Sequence, residues 1–246
     1  MPKYVYTQKY VDPQLGLVHI NVRSAARRFV ARWRFDGVHI TVPAYTTIDE
    51  YRRVLVEFTP RLLEKRLNSP EINSIGYSFS NDLWSVEIVH DSLFASQTIG
   101  VCRASSDEDC CKFMICVSND WDFSHPDSEV LIRKAMTRIA KFVTHNRVLD
   151  EAWDIARAFG LSHLVKAWKV GRGEQRLGTC SHSGEISLSN RLAYMPPQLR
   201  RHIITHELAH LTHHNHSAEF HALWAKYDGS NHYELKRELK NFKFPI

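Results

Sequence analysis

The sequence predicts an α+β fold, with a β-rich N-terminal region over residues 1–125 and a region over 126–246 that carries most of the helical periodicity. Three observations predict it. Short apolar runs broken by polar residues, with a strong Asp36-Gly37 turn signal, dominate up to Val117. From "SHPDSEVLIRKAMTRIAKFV" onward, apolar residues recur at helical spacing. A chain of 246 residues, 43% hydrophobic and 24% charged, is long enough to close a core without covalent staples.

Taken in order, residues 1–18 read as a loosely held arm. "RRFVARWRFDGVHITVP" reads as a hairpin turning at Asp36-Gly37, which would pair Phe35 with Val38, Trp33 with Ile40 and Ala31 with Val42. Those residues make one apolar face. Arg28, Arg32, Arg34, His39 and Thr41 fall on the other. "TIDEYRRVLVEF" opens a helix with a Thr47/Glu50 capping box, which Pro60 kinks or restarts. Tyr77 to Val117 reads as strands, with "SSDEDCC" an exposed acidic turn. "SHPDSEVLIRKAMTRIAKFV" and "NRVLDEAWDIARAFG" read as two helices or one bent helix, with Leu149, Trp153, Ala156 and Phe159 on one stripe and Gly160 as the stop. "LVKAWKVG" and "EISLS" are strands around a turn-rich stretch. Pro196-Pro197 opens the next helix, to about Thr212, and two short helices near 217–227 and 231–242 end the chain.

Composition narrows the setting. The net charge of +5 permits an acidic partner without demanding one. The five cysteines include no C-x-x-C pair, which argues against a disulfide framework or a zinc ribbon and for a reducing, cytoplasmic interior. The start lacks the apolar stretch of a signal peptide, and no run of about 18 apolar residues suggests a membrane span.

The stretch "RRHIITHELAHLTHHNHSAEFHALW" holds seven of the fifteen histidines. Within it His206-Glu207-Leu208-Ala209-His210 is an H-E-x-x-H sequence set in a helix by Leu199, Ile203, Leu208 and Leu211. Side chains four apart on a helix share a face, with Cβ atoms about 5–6 Å apart, so two imidazoles there converge on one zinc ion. Glu207 is turned by about 100° from His206, where it flanks the metal and can take a proton from metal-bound water. Catalytic zinc takes a third protein ligand, sought among His213, His214 and His216. On a continued helix His214 would lie about 12 Å along the axis from His206, so the chain has to turn back. Asn215 tolerates a left-handed turn and Ser217 can cap a new helix with Glu219 in its first turn. His216 stands at that elbow and is the expected third ligand. His202, His213, His214 and His221 read as solvated side chains or as an outer layer around the ligands.

With these residues in view, "RLGTCSHSGEISLSNRLAYMPPQLRRHIITHELAHLTHHNHSAEF" resembles the YgjP-like family of zinc metallopeptidases, which pairs a "RWGSCS" stretch with "HELAHL" and "NHS..F". Leu177 stands where that family has Trp, and Thr179 where it has Ser. The arrangement is also similar to that of the SprT-like zincin proteases, which act on proteins crosslinked to DNA, and the spacing of His206, His210 and His216 matches the metzincins, without their glycine, since His213 stands there. The resemblance implies a zincin-like metallopeptidase, with Zn2+ on His206, His210 and His216 and Glu207 as the catalytic base. The implied reaction is Glu-assisted attack of zinc-bound water on a peptide bond of a protein or peptide substrate. "EISLS" could offer a cleft edge to a peptide, or be a structural hairpin. Arg176, Tyr194 and Tyr227 are the candidates for steadying the oxyanion. Cys180 is read as structural. Two alternatives remain: a metal-dependent nucleotide phosphohydrolase, and a DNA-associated protease or binding module that meets nucleic acid through Arg28, Arg32 and Arg34.

Overall fold

The computed structural model describes residues 4–34, 37–67, 72–106, 111–171 and 176–245. Two compact units are present: residues 1–74 with 122–134 and 246, and residues 75–121 with 135–245.

In the first unit, β1 (Tyr4–Asp12), β2 (Gly16–Arg23), β3 (Val30–Arg34) and β4 (Gly37–Pro43) form a mixed sheet in the order β1-β2-β4-β3, with β2 and β4 parallel. The first residues are therefore not a loose arm. The Asp12 carboxylate accepts the Gln14 and Leu15 amides at 2.9 and 3.0 Å, closing a turn that pairs β1 with β2. Val18, Ile20 and Val22 alternate onto the buried face beside Val38, Ile40 and Val42, which anchors the hairpin. The β3–β4 register differs from expectation by two residues: Trp33 meets Val38, Ala31 meets Ile40, and the innermost pair is Arg34 with Gly37. A slip of two preserves which face each side chain takes, so the apolar pattern alone does not detect it. Phe35 lies outside the described residues. Gly37 sits at φ +117°, and a Cβ there would come within 2.2 Å of the Leu17 carbonyl oxygen.

The other face of this sheet carries the row Lys9, His19, His39 and Arg32, one residue per strand, with His19 and His39 stacked at 4.2 Å between ring centroids. Arg32 belongs to that row, whereas exposed Arg28 precedes β3 and is not on the strand face; the Arg34 side chain is outside the described set. Helix α1 (Ile48–Leu67) starts at the reciprocal Thr47/Glu50 box, with Glu50 accepting the Thr47 amide at 2.8 Å. It runs on through Pro60 without ending, and places Leu55 and Leu62 in the apolar core.

In the second unit, β5 (Ser78–Ser80), β6 (Trp84–His90), β7 (Ile99–Ser106) and β8 (Cys111–Val117) form a sheet in the order β5-β6-β8-β7. The acidic turn expected after β7 falls on residues outside the described set. Buried Trp84 donates its indole N–H to the Ala193 carbonyl at 2.8 Å. Helix α2 (Pro126–Val143), of which residues from Ala135 belong to this unit, passes through a π-helical turn, Thr144–Val148, into α3 (Leu149–Ala158). The two helical stretches are thus one interrupted helix. Leu149, Ala152, Ile155 and Ala156 form the buried stripe of α3, while Trp153 is partly exposed, so the apolar face is rotated from the expected one. Gly160, at φ +70°, ends it.

A small sheet follows: β9 (Ala167–Gly171), β10 (Gly178–Cys180) and β11 (Glu185–Ser189), ordered β10-β11-β9. β11 holds the "EISLS" segment and is the middle strand, paired on both sides; it is not a free edge. The three-residue β10 hides in a turn-rich stretch and supplies one edge. Helices α4 (Pro197–Ala209), α5 (Ala218–Asp228) and α6 (His232–Asn241) complete the unit. The start of α4 is fixed by Arg200, 2% exposed, which donates to Asp82 at 3.0 Å, Glu151 at 2.8 Å and the Met195 carbonyl at 2.7 Å. All three partners lie within this unit, so a buried guanidinium is fully paired there. No helix among the described residues is long and apolar enough to cross a membrane.

Candidate metal centre

Helix α4 begins at Pro197, with Pro196 as its cap, and buries Leu199, Ile203, Ile204 and Leu208. That face fixes its rotation, and His206 and His210, one turn apart, emerge together with ring centroids 4.9 Å apart. The helix stops at Ala209, three residues short of the expected end. The Leu211 and Thr212 amides close tight turns onto Leu208 and Ala209, and these turn the chain back. The turn uses no left-handed Asn215: the positive-φ non-glycine residues are Tyr45 and Gln97. Ser217 caps α5, its hydroxyl accepting the Phe220 amide at 3.4 Å, and Glu219 sits in the first turn. The elbow delivers His216 to 4.8 Å from the His210 ring and 5.2 Å from the His206 ring.

The ring nitrogens face one another. His210 Nδ1 lies 3.0 Å from the His213 carbonyl oxygen. A carbonyl only accepts, so Nδ1 carries the proton and Nε2 keeps its lone pair. His206 Nε2 and His216 Nε2 face each other at 3.3 Å. Two nitrogens each bound at about 2.0–2.1 Å to one tetrahedral zinc would stand about 3.3 Å apart. Burial, then the neighbouring imidazoles, pushes the His206 pKa down to about 3, so its ring is a neutral donor. The donor set, one nitrogen from each of three imidazoles, all within 4.8 Å of one another, fits a single divalent cation.

Glu207 follows His206 on α4 and its side chain packs against β10. It is 4% exposed, and burial raises its pKa to about 8 against the opposing charge of Arg176. Its Oε2 has no hydrogen-bond partner among the described residues. β10 approaches here: a Cβ on Gly178 would come within 2.5 Å of Glu207 Oε1, so only glycine leaves room for the carboxylate.

Of the other residues singled out in the sequence, Tyr194 is committed elsewhere, its hydroxyl donating to the Met136 carbonyl at 3.2 Å. Tyr227 packs on Phe159 at 4.5 Å. Arg176 is exposed. The Cys180 thiol is pushed up to about 11 by burial and by Glu207, so it stays protonated. His214 meets His182 in a tilted contact at 4.2 Å between ring centroids, and His221 is exposed.

His202 differs from its expected solvated role. It is 0% exposed and its Nδ1 donates to Asp228 Oδ2 at 2.6 Å. His232 Nδ1 donates to the same oxygen at 2.7 Å, and the Thr205 hydroxyl to Oδ1 at 2.7 Å. The three N–H and O–H donors surround one carboxylate. Although burial alone would raise the Asp228 pKa, these bonds hold it below the ordinary value. The nitrogen–oxygen distances are those of hydrogen bonds, shorter than the separation of two ligands on one zinc ion. Sequence reasoning missed this cluster. The available signal was the run of histidines at 202, 206 and 210, one of which had to point elsewhere.

No curated protein and no solved structure matches the chain. The family model described as YgjP-like, metallopeptidase domain matches residues 117–242, which include α4, the elbow, the three converging imidazoles and Glu207. That match spans more than half of the 246 residues, and the chain belongs to the YgjP-like metallopeptidase family.

Proposed function

We propose that this metallopeptidase is zinc-dependent, that His206, His210 and His216 hold the ion, and that Glu207 is the general base of peptide-bond hydrolysis. The observation that carries the reading is the 3.3 Å approach of two imidazole nitrogens beside a third, with an unpartnered oxygen on buried Glu207, the residue that follows His206 on the same helix. Bound there, zinc would act as a Lewis acid and bring a water's pKa toward about 7. The chain's own part is positional. The His213 carbonyl fixes the tautomer of His210. Gly178 admits the Glu207 side chain; a bound cation nearby would offset the burial that raises its pKa, so that the ionised carboxylate would accept a proton from the attacking water and pass it to the leaving amine. The substrate class is a protein or peptide, and the free cysteines support a cytoplasmic setting.

The test is to measure zinc content and to compare wild type with Glu207→Gln on an unfolded protein. A general base contributes about 10²–10⁴-fold, so the variant should retain zinc and lose that much rate. Equal cleavage by both removes Glu207 as the base. Turnover of nucleoside triphosphates but not of polypeptide would favour the phosphohydrolase alternative.

The sheet of the first unit supports a second, separable property. The row Lys9, His19, His39 and Arg32 has Thr7, Asn21 and Thr41 in the next row, and no paired residue on this face is acidic. Such a face suits phosphate groups of nucleic acid. If it binds DNA, replacing Lys9 and Arg32 by alanine should flatten the salt dependence by a slope of about 2. Unchanged salt dependence removes that role.

A further inference from the structure

We propose that Phe220 is a positioning residue: a buried aromatic platform that holds all three imidazoles in the geometry a cation requires. This rests on the reading of His206, His210 and His216 as the ligands. Phe220 is 0% exposed and meets each of their rings. It stacks on His210 at 4.4 Å between centroids and 27° between planes. It lies edge-on to His206 at 5.0 Å and 77°, and edge-on to His216 at 4.8 Å and 77°. These are the separations at which aromatic rings attract and prefer defined angles.

The placement follows from the elbow. His216 immediately precedes the Ser217 cap and Phe220 lies in the first turn of α5, so the elbow brings the two rings together. The Ser217 hydroxyl that caps this turn accepts the Phe220 amide itself. The chain reversal that brings in the third imidazole therefore also inserts the ring beneath all three. Ala209, 0% exposed and in the same apolar cluster, leaves space for it on α4. Of the three ligands, His210 has its Nδ1 tied to a backbone carbonyl. Among the described residues no backbone carbonyl ties a ring nitrogen of His206 or His216, and these two rings depend more on packing for their orientation. A leucine would fill much of the volume but present no flat face or edge to fix a ring plane.

The experiment uses full-length protein. Zinc affinity is read by competition with a chromophoric chelator, cobalt(II) replaces zinc for the visible absorption spectrum, and thermal unfolding is followed on the metal-free forms. Phe220→Leu should weaken zinc by about 10–100-fold, the effect of losing a group that orients ligands from behind, and should shift the cobalt bands. Leu223→Ala loosens the same cluster without removing a ring that touches an imidazole, and should keep wild-type affinity and spectrum. The platform is overturned if Phe220→Leu keeps wild-type affinity and cobalt spectrum. It is equally overturned if Leu223→Ala weakens zinc as much at a matched loss of thermal stability. Should Phe220→Leu not fold, Phe220→Met, which also lacks a ring, is read in the same way. A wild type that takes up neither zinc nor cobalt would sink the metal-centre reading as well, an outcome distinct from a wild type that binds normally beside an unaffected Phe220→Leu.

Discussion

Helix α4 carries two three-residue clusters on successive turns, and they are opposites. His202, Asp228 and His232 gather around a carboxylate whose side chain is 1% exposed, with each polar contact at hydrogen-bond distance. His206, His210 and His216 gather with no carboxylate among them, with two like nitrogens 3.3 Å apart and His216 exposed. The same side chain at the same helical spacing therefore becomes either a structural knot or an open set of converging imidazoles. What separates them is whether a carboxylate stands among the rings. With Asp228 present, one N–H of each ring is satisfied by the protein, and the cluster can be sealed in the core. Without one, the ring nitrogens face one another, the arrangement that the proposed metal reading explains.

The contrast can be broken by crossing the two clusters. His210→Ala should abolish stoichiometric zinc binding while costing the metal-free fold only about 1 kcal/mol in urea unfolding. Asp228→Ala should do the reverse. It leaves two buried imidazoles without their acceptor, while the Thr205 hydroxyl keeps the His202 carbonyl, and should cost about 3–5 kcal/mol, with zinc stoichiometry retained in the folded fraction. If the two variants lost zinc and stability in parallel, the clusters would be one unit and the distinction would fall.

A pH series sharpens it. The Asp228 pKa is lowered in the folded state, so its contribution is present above the ordinary carboxylate value of 3.8 and is lost as pH falls through the folded value. The stability gap between wild type and Asp228→Asn should therefore be level above about pH 5 and close under acid. A gap that persists unchanged at pH 2–3 would mean that the carboxylate charge is not what holds the knot. Gly178→Ala tests the open cluster from its other side. Forcing a Cβ against the Glu207 carboxylate should cost about 1–3 kcal/mol and lower kcat/KM, with zinc content unchanged. The smallest effect is expected for Ser217→Ala, about 1 kcal/mol for a lost cap, read by thermal unfolding.

Local signals were the legible ones. The Thr47/Glu50 box, Pro197 at the start of α4, the four-residue spacing of His206 and His210, and Ser217 as a cap are each encoded within a few residues, and each is found where the chain pattern indicates. The meeting of the three imidazoles was readable for the same reason, since the elbow is only six residues from His210 to His216. Long-range pairings were not readable. Asp228 reaches His202 across 26 residues of chain only because α5 folds back on α4. The edge strand β10 is three residues long, too short for alternation to register. The β3–β4 register slipped by two because both registers bury the same side chains. Residues 4–12 lack a strong apolar alternation of their own and become a strand through pairing with β2.

Helix α5 is pinned at both of its ends, by the elbow on one side and by Asp228 on the other. Neither fastening is made by a metal ion. If the three histidines hold the ion as proposed, its loss would leave the helix docked with Phe220 still against the rings, and reloading would ask for no refolding.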